Sequence, residues 1–124
     1  GTDRVFISAQ LNNLISYTTS TSSDVTYTVY VNRYYAEPNF DPTNPDYLFI
    51  LDKTISKKVY NLTGITGSGT LPEVETIFST VIDNPGPKYY WYILEIELAT
   101  IAGDFQATDC VFNLRSLSAQ VVKE

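Results

Sequence analysis

The chain has 124 residues, of which 44% are hydrophobic and 14% aromatic, so it holds enough apolar material for one domain with its own core. A net charge of −6 excludes the basic footprint of a protein that binds nucleic acid or anionic lipid. Histidine is absent and Cys110 is the only cysteine, which excludes an intrachain disulfide and a Cys–His nucleophile. No apolar run approaches the roughly 20 residues of a membrane-spanning helix, so we expect no membrane insertion.

Short segments that alternate between apolar and polar residues dominate the chain and predict strands, because a strand sends successive side chains to opposite faces. We expect strands at 4–9, 14–19, 24–35, 47–51, 55–62, 74–82, 88–99 and 109–122. Asn12-Asn13 is expected to end the first strand, and residues 63–73 and 83–87, rich in Gly and Pro, to form loops or turns. Residues 1–124 then make a single all-β domain, an antiparallel sandwich. A jelly roll of about eight to nine strands fits the strand count best.

The segment 88–99 has the most informative pattern. One alternating set is apolar throughout and is expected to face the core: Tyr90, Tyr92, Leu94, Ile96 and Leu98. The other set begins apolar and ends acidic: Tyr89, Trp91, Ile93, Glu95 and Glu97. A strand that is apolar on both faces for half its length needs a cover for its second face. That cover is either a loop of the same chain or another chain.

Three stretches of the second half carry a family pattern. Residues 75–87 contain a strand and an Asp-x-Pro-Gly turn, residues 89–96 are aromatic, and residues 113–123 alternate to the end of the chain. Together they resemble trimeric jelly rolls of the tumour necrosis factor (TNF-like) and complement globular-head type. More narrowly, they resemble the C-terminal domains of collagen-like spore-surface proteins and of related phage or viral structural proteins. The aromatic stretch is similar to the strand that those families place near the threefold axis.

The resemblance implies a homotrimer used for display, adhesion or receptor engagement, at the surface of a spore, cell or virion or otherwise outside the cell. It implies neither catalysis nor a cofactor. Tyr89, Trp91 and Ile93 are accordingly expected at the trimer interface, where a second copy would cover them. The residues by themselves leave open that the three pack under loops of their own chain.

Residues 36–46 form a predicted loop, because three prolines prevent regular strand pairing there. Glu37, Asp41 and Asp46 make the loop a weak calcium candidate, since calcium prefers oxygen ligands, although their spacing matches no EF-hand. The same composition is typical of any turn-rich loop. Phe40 and Tyr47 are candidates for an aromatic contact with a sugar or a protein.

One pair of carboxylates has a spacing that bears on catalysis. Glu95 and Glu97 lie on one strand face about 7 Å apart, a separation also found in glycosidases. Glycosidase carboxylates usually come from different elements that line a cleft, so a solvated acidic strand end explains this pair better. No histidine is available to activate a serine or Cys110, and Gly64–Thr70 lacks the lysine of a phosphate-binding loop. We therefore expect no enzymatic activity.

The sequence predicts a non-catalytic, trimeric structural or adhesive domain, whose partners are copies of itself and a cell-surface receptor or glycan. The alternative is a carbohydrate-binding, lectin-like module that works as a monomer or dimer through its loops. Cys110, at the start of the last strand, is expected to be a buried structural thiol, with an interchain disulfide or a reactive thiol as the alternatives.

Overall fold

Two antiparallel sheets make up the structure, a computed structural model that describes residues 3–36, 43, 49–83 and 85–123. The described strands are β1 (Arg4–Thr18), β2 (Ser23–Ala36), β3 (Phe49–Ile65), β4 (Ser68–Thr70), β5 (Val74–Asp83), β6 (Tyr90–Ala102) and β7 (Gln106–Val122). The described residues contain no helix. The predicted all-β class is therefore confirmed, with the two sheets arranged as a sandwich.

Each sheet has one central strand. In the first sheet, β1 pairs with β7 on one side and with β5 and the short β4 on the other. In the second sheet, β2 lies between β3 and β6. The two central strands supply most of the buried core through their alternating apolar residues: Val5, Ile7, Ala9, Leu11 and Ile15 from β1, with Val25, Tyr27, Val29 and Val31 from β2.

The described residues form seven strands, several of which are longer than the sequence suggested. Asn12-Asn13 does not end the first strand: β1 continues to Thr18, with a register shift between these two residues in the ladder with β7. The extra residue at this shift is Asn113, so the bulge lies in β7, while β1 itself continues without a break. Asn13 stays inside because its side chain has a buried partner, the Tyr27 hydroxyl.

The segment that was predicted to be a loop after residue 62 is also more ordered than expected. Strand β3 extends to Ile65, and β4 follows after a turn in which Gly67 has a φ of 71°. A positive φ is readily adopted by glycine, which has no Cβ. The Thr19 amide donates to the Gly67 carbonyl oxygen at 2.7 Å, and this bond ties the turn to the end of β1.

The two lateral sides of the sandwich differ. On the β3/β5 side, the hydroxyls of Tyr60 and Thr76 are hydrogen-bonded at 2.9 Å, and the Lys58 ammonium lies 5.9 Å from the centre of the Phe78 ring. These contacts close the core at that side. On the β6/β7 side, every residue of β7 except Leu117 is exposed. The core is therefore closed on one side and open on the other.

Candidate binding surface on the second sheet

The outward-pointing residues of β2, β3 and β6 form a continuous surface, which we call the outer face. Cross-strand pairs fix its layout, because directly opposed residues in an antiparallel sheet lie on the same face. On β2 and β6 these pairs are Tyr30 with Glu95, Asn32 with Ile93, and Tyr34 with Trp91. On the other side of β2, Asn32 is opposed by Thr54 and Tyr34 by Leu51.

The apolar end of the outer face holds the three residues that were predicted at a trimer interface. Tyr89 is 66% exposed and Ile93 is 38% exposed. Trp91 is half-buried and makes an edge-to-face contact with Phe49, with 4.6 Å between ring centroids. The structure thus brings Tyr89, Trp91 and Ile93 onto one outward surface and leaves much of that surface accessible to solvent. Four members of the opposite set pack against the core as predicted: Tyr92, Leu94, Ile96 and Leu98. Tyr90, the fifth member, is half-buried, and its hydroxyl donates to the Pro85 carbonyl oxygen at 2.9 Å.

The polar middle of the outer face is organised by a chain of hydrogen bonds. Thr54 Oγ1 donates to Asn32 Oδ1 at 2.8 Å, and Asn32 Nδ2 donates to Glu95 Oε1 at 3.2 Å. The Tyr34 hydroxyl donates to the same Glu95 oxygen. This bond to a carboxylate favours the neutral phenol and raises the pKa of Tyr34 above its ordinary value. Asn32 is only 6% exposed, so the network has a buried anchor.

An open depression of about 420 Å³ lies over this network. Its lining combines aromatic, amide, hydroxyl, carboxylate and aliphatic residues: Tyr30, Asn32, Tyr34, Leu51, Thr54, Glu95, Ile96 and Glu97. Glu95 is half-buried and Glu97 is exposed, and among the described residues neither forms a salt bridge. Glu95 is thus held in a hydrogen-bonded network, whereas the sequence had suggested a simple solvated strand end for both.

The five candidate residues of the predicted loop lie outside the described residues: Glu37, Phe40, Asp41, Asp46 and Tyr47. Within the described ranges, no group of three or more His, Cys, Asp or Glu side chains could hold a metal ion. The same ranges contain no helix long and apolar enough to cross a membrane.

The prediction of a buried Cys110 was wrong, because the side chain is exposed. Cys110 lies on β7, opposite Ile15 of the central strand β1. Its row points towards the core, but the second sheet leaves β7 uncovered except at Leu117. Partial desolvation and, to a lesser extent, neighbouring Asp109 raise the pKa of the Cys110 thiol, which disfavours the reactive thiolate.

Sequence reasoning missed the roles of Asn32, Tyr34 and Thr54 in the outer face. A signal was present, since the outward set of the segment 24–35 combines tyrosines with hydroxyl and amide side chains. Nothing in that segment, however, indicated that Glu95 would be its partner.

The fold and this surface define the chain as an antiparallel β-sandwich protein with an exposed face that is aromatic at one end and acidic at the other. Comparison of the chain with protein-family models, curated proteins and solved structures finds no match in any of the three.

Proposed function

We propose that the chain is a non-catalytic structural or adhesive domain that assembles as a homotrimer and acts at the surface of a spore, cell or virion, or elsewhere outside the cell. The observation that carries the proposal is the exposed apolar end of the outer face, where Tyr89 is 66% exposed and Ile93 is 38% exposed. Exposed apolar patches of this kind mark sites of contact with another chain.

The exposed large apolar residues lie on or next to four strands, with β3 contributing Phe49, Ile50, Leu51 and Val59 and β5 contributing Ile77 and Val81. On β6 and next to it these residues are Tyr89, Ile93 and Ile101, and on β7 they are Val111, Phe112, Leu114, Val121 and Val122. Among the described residues, strand β7 is an edge strand of 17 residues that pairs only with β1. Long apolar edges favour association with another chain. A closed oligomer would cover both the edge and the apolar end of the outer face.

Two strand pairings support the jelly-roll proposal, whereas the pairing of the consecutive strands β2 and β3 within one sheet departs from it. The first strand, β1, pairs with the last strand, β7, and β2 pairs with the penultimate strand, β6. This nested pairing is expected when a long antiparallel hairpin is rolled into two sheets. Together with the resemblance of residues 75–87, 89–96 and 113–123, it favours a TNF-like trimer over other β-sandwich assemblies.

The mass of the chain in solution tests this function. Light scattering behind a sizing column should give about three times 13.9 kDa. Trp91→Ala and Ile93→Glu should each reduce the mass to that of one chain, because both alter the apolar end of the outer face. Ile77→Glu is the matched control, since Ile77 is exposed on β5 of the other sheet, and this variant should remain trimeric.

Circular dichroism should show β structure in all three variants, so that loss of assembly is distinguished from unfolding. A wild-type mass of one chain would overturn the trimer. A trimer that survives Ile93→Glu unchanged would remove Tyr89, Trp91 and Ile93 from its interface.

The depression on the outer face favours a second function, carbohydrate binding. In the lectin-like version predicted from the sequence, loop residues Phe40 and Tyr47 would make the contact, and both lie outside the described residues. The groups that the structure does bring together for such a role lie instead on the sheet.

A further inference from the structure

The depression on the outer face is a preorganised polar site. Three strands contribute to it: Asn32 and Tyr34 from β2, Thr54 from β3 and Glu95 from β6. Because Thr54 occupies Asn32 Oδ1 and Asn32 is almost fully buried, the amide keeps its Nδ2 directed at Glu95. The Glu95 carboxylate is therefore held in one orientation before any ligand arrives, which lowers the entropic cost of binding.

Several hydrogen-bonding groups at the site remain available. Both bonds to Glu95 are accepted by Oε1, and an ionised carboxylate has about four acceptor positions, so Oε2 can accept from a ligand. Glu97 is exposed, and its carboxylate makes no hydrogen bond among the described residues. The Tyr30 hydroxyl, on the residue opposite Glu95, is likewise without a partner there and can donate or accept.

This combination determines the chemistry of the ligand. Carboxylate oxygens only accept hydrogen bonds, so they bind a ligand rich in hydroxyl or amine donors. Two uncompensated carboxylates repel an acidic ligand. The rings of Tyr30 and Tyr34 offer apolar surfaces beside these acceptors. This combination suits a ligand ring that has an apolar face and a polar edge.

We propose that the depression lined by Tyr30, Asn32, Tyr34, Glu95 and Glu97 binds a pyranose ring of a glycan that bears free hydroxyls and no acidic group. The sugar ring packs on the tyrosine rings, and its hydroxyls donate to Glu95 and Glu97. A volume of about 420 Å³ lies within the range of small-ligand pockets. The inference deepens the adhesive part of the proposed function and rests on it. The trimer is not required, because every lining residue comes from one chain.

The wild-type chain should first be tested on an array of immobilised glycans that end in neutral hexoses, N-acetylhexosamines, amino sugars, sialic acid or sulfated sugars. We expect binding to glycans with hexose, N-acetylhexosamine or amino-sugar ends, at least tenfold stronger than to the sialylated and sulfated probes. Comparison of the hexose and amino-sugar probes shows whether hydroxyl groups are sufficient or whether an ammonium group adds affinity.

The strongest probe should then be titrated by calorimetry against Tyr30→Ala and Glu97→Gln. Both variants should weaken binding at least tenfold. Glu75→Gln is the matched control, because Glu75 is an exposed carboxylate on β5 of the other sheet, and it should bind like wild type. Circular dichroism checks that the variants fold.

Absence of binding to every probe, a preference for acidic glycans, or equal affinity of Glu97→Gln and wild type would each overturn the sugar site. The mass measurement separates this result from the proposed assembly. A trimer without glycan binding refutes only the sugar site, whereas a monomer that binds neutral sugars refutes only the trimer.

Discussion

The Tyr27 hydroxyl donates a hydrogen bond to Asn13 Oδ1 at 2.5 Å and joins the central strands of the two sheets through the core. Both residues are only 1% exposed. Asn13 Nδ2 has no partner among the described residues. The Tyr27 hydroxyl is therefore the only hydrogen-bond partner that the described residues give to this side chain. The pair explains how a polar residue remains in the middle of β1.

Tyr27→Phe should lower the free energy of unfolding by about 1–3 kcal/mol, because it leaves the buried Asn13 oxygen without a donor. Urea denaturation measures the change. Tyr92→Phe is the matched control, since Tyr92 packs against the core and has no hydrogen bond among the described residues, and it should change stability by less than about 0.5 kcal/mol. Equal stability of Tyr27→Phe and wild type would contradict this role for the bond.

The same tyrosine should make stability sensitive to alkaline pH. Burial raises the pKa of Tyr27 to about 12, mainly by disfavouring the charged phenolate. A raised pKa means that the contribution is complete below the ordinary tyrosine pKa of about 10 and is lost as pH rises through the folded-state value. The stability gap between wild type and Tyr27→Phe should therefore be constant up to about pH 10 and shrink towards pH 12. Denaturation series at several pH values test this, and a constant gap would argue against it.

Arg33 forms a partly buried ion pair with Asp52 at one end of the second sheet. Its Nε and Nη2 both lie 2.7 Å from Asp52 Oδ2, and its guanidinium lies 5.2 Å from the centre of the Tyr90 ring. Asp52→Asn should lower the free energy of unfolding by about 2 kcal/mol, because it leaves a buried guanidinium without its counter-charge. The partial exposure of Asp52 keeps this loss smaller than the loss expected for a fully buried pair. Thermal denaturation measures the loss. Asp109→Asn, an exposed carboxylate on β7, should have little effect, and an equal effect of both would count against the ion pair.

Gly103 should tolerate no side chain. Its φ is +85°, and an added Cβ would lie 2.3 Å from Ser23 Oγ and 2.6 Å from the Ser22 carbonyl oxygen. Gly103→Ala combines a left-handed backbone with a steric clash against main-chain atoms. Gly86→Ala is the control, because Gly86 has a φ of +99° but nothing within 4 Å of the added Cβ. Gly86→Ala should lower the free energy of unfolding by about 1–2 kcal/mol, and Gly103→Ala should lower it by clearly more. Similar melting temperatures for the two variants would exclude the clash.

Asp104 should support the adjacent turn only while it is ionised. Its Oδ1 accepts hydrogen bonds from the amides of Ser20 and Thr21 at 3.0 and 3.1 Å, and these bonds lower the pKa of Asp104, with Thr21 contributing most. A lowered pKa means that the contribution is present above the ordinary aspartate pKa of about 3.9 and is lost as pH falls through the folded-state value. The melting temperature of Asp104→Asn should therefore fall less than that of wild type between pH 6 and pH 3. If the melting temperatures of wild type and Asp104→Asn fell equally with pH, the ionised Asp104 would contribute nothing to stability.

The alternation in the sequence determined the strand type and the faces of the best-defined strands. Leu94 and Leu98 were predicted to face the core and do pack against it, while Trp91 and Glu95 point outward. This works because the two-residue period of a strand is a local property of the backbone. The location of the trimer interface remains a prediction.

Only the tertiary structure decided which residues become partners. Asn13 remains within a strand because Tyr27, 14 residues away, meets it across the core. Cys110 is exposed because the opposite sheet does not cover β7, which its own alternation cannot indicate. Asn32 meets Glu95 across a sequence separation of 63 residues, through the register of β2 with β6. Register and sheet overlap arise from the packing of the whole chain, so the sequence determined which faces exist, and the fold determined what each face contacts.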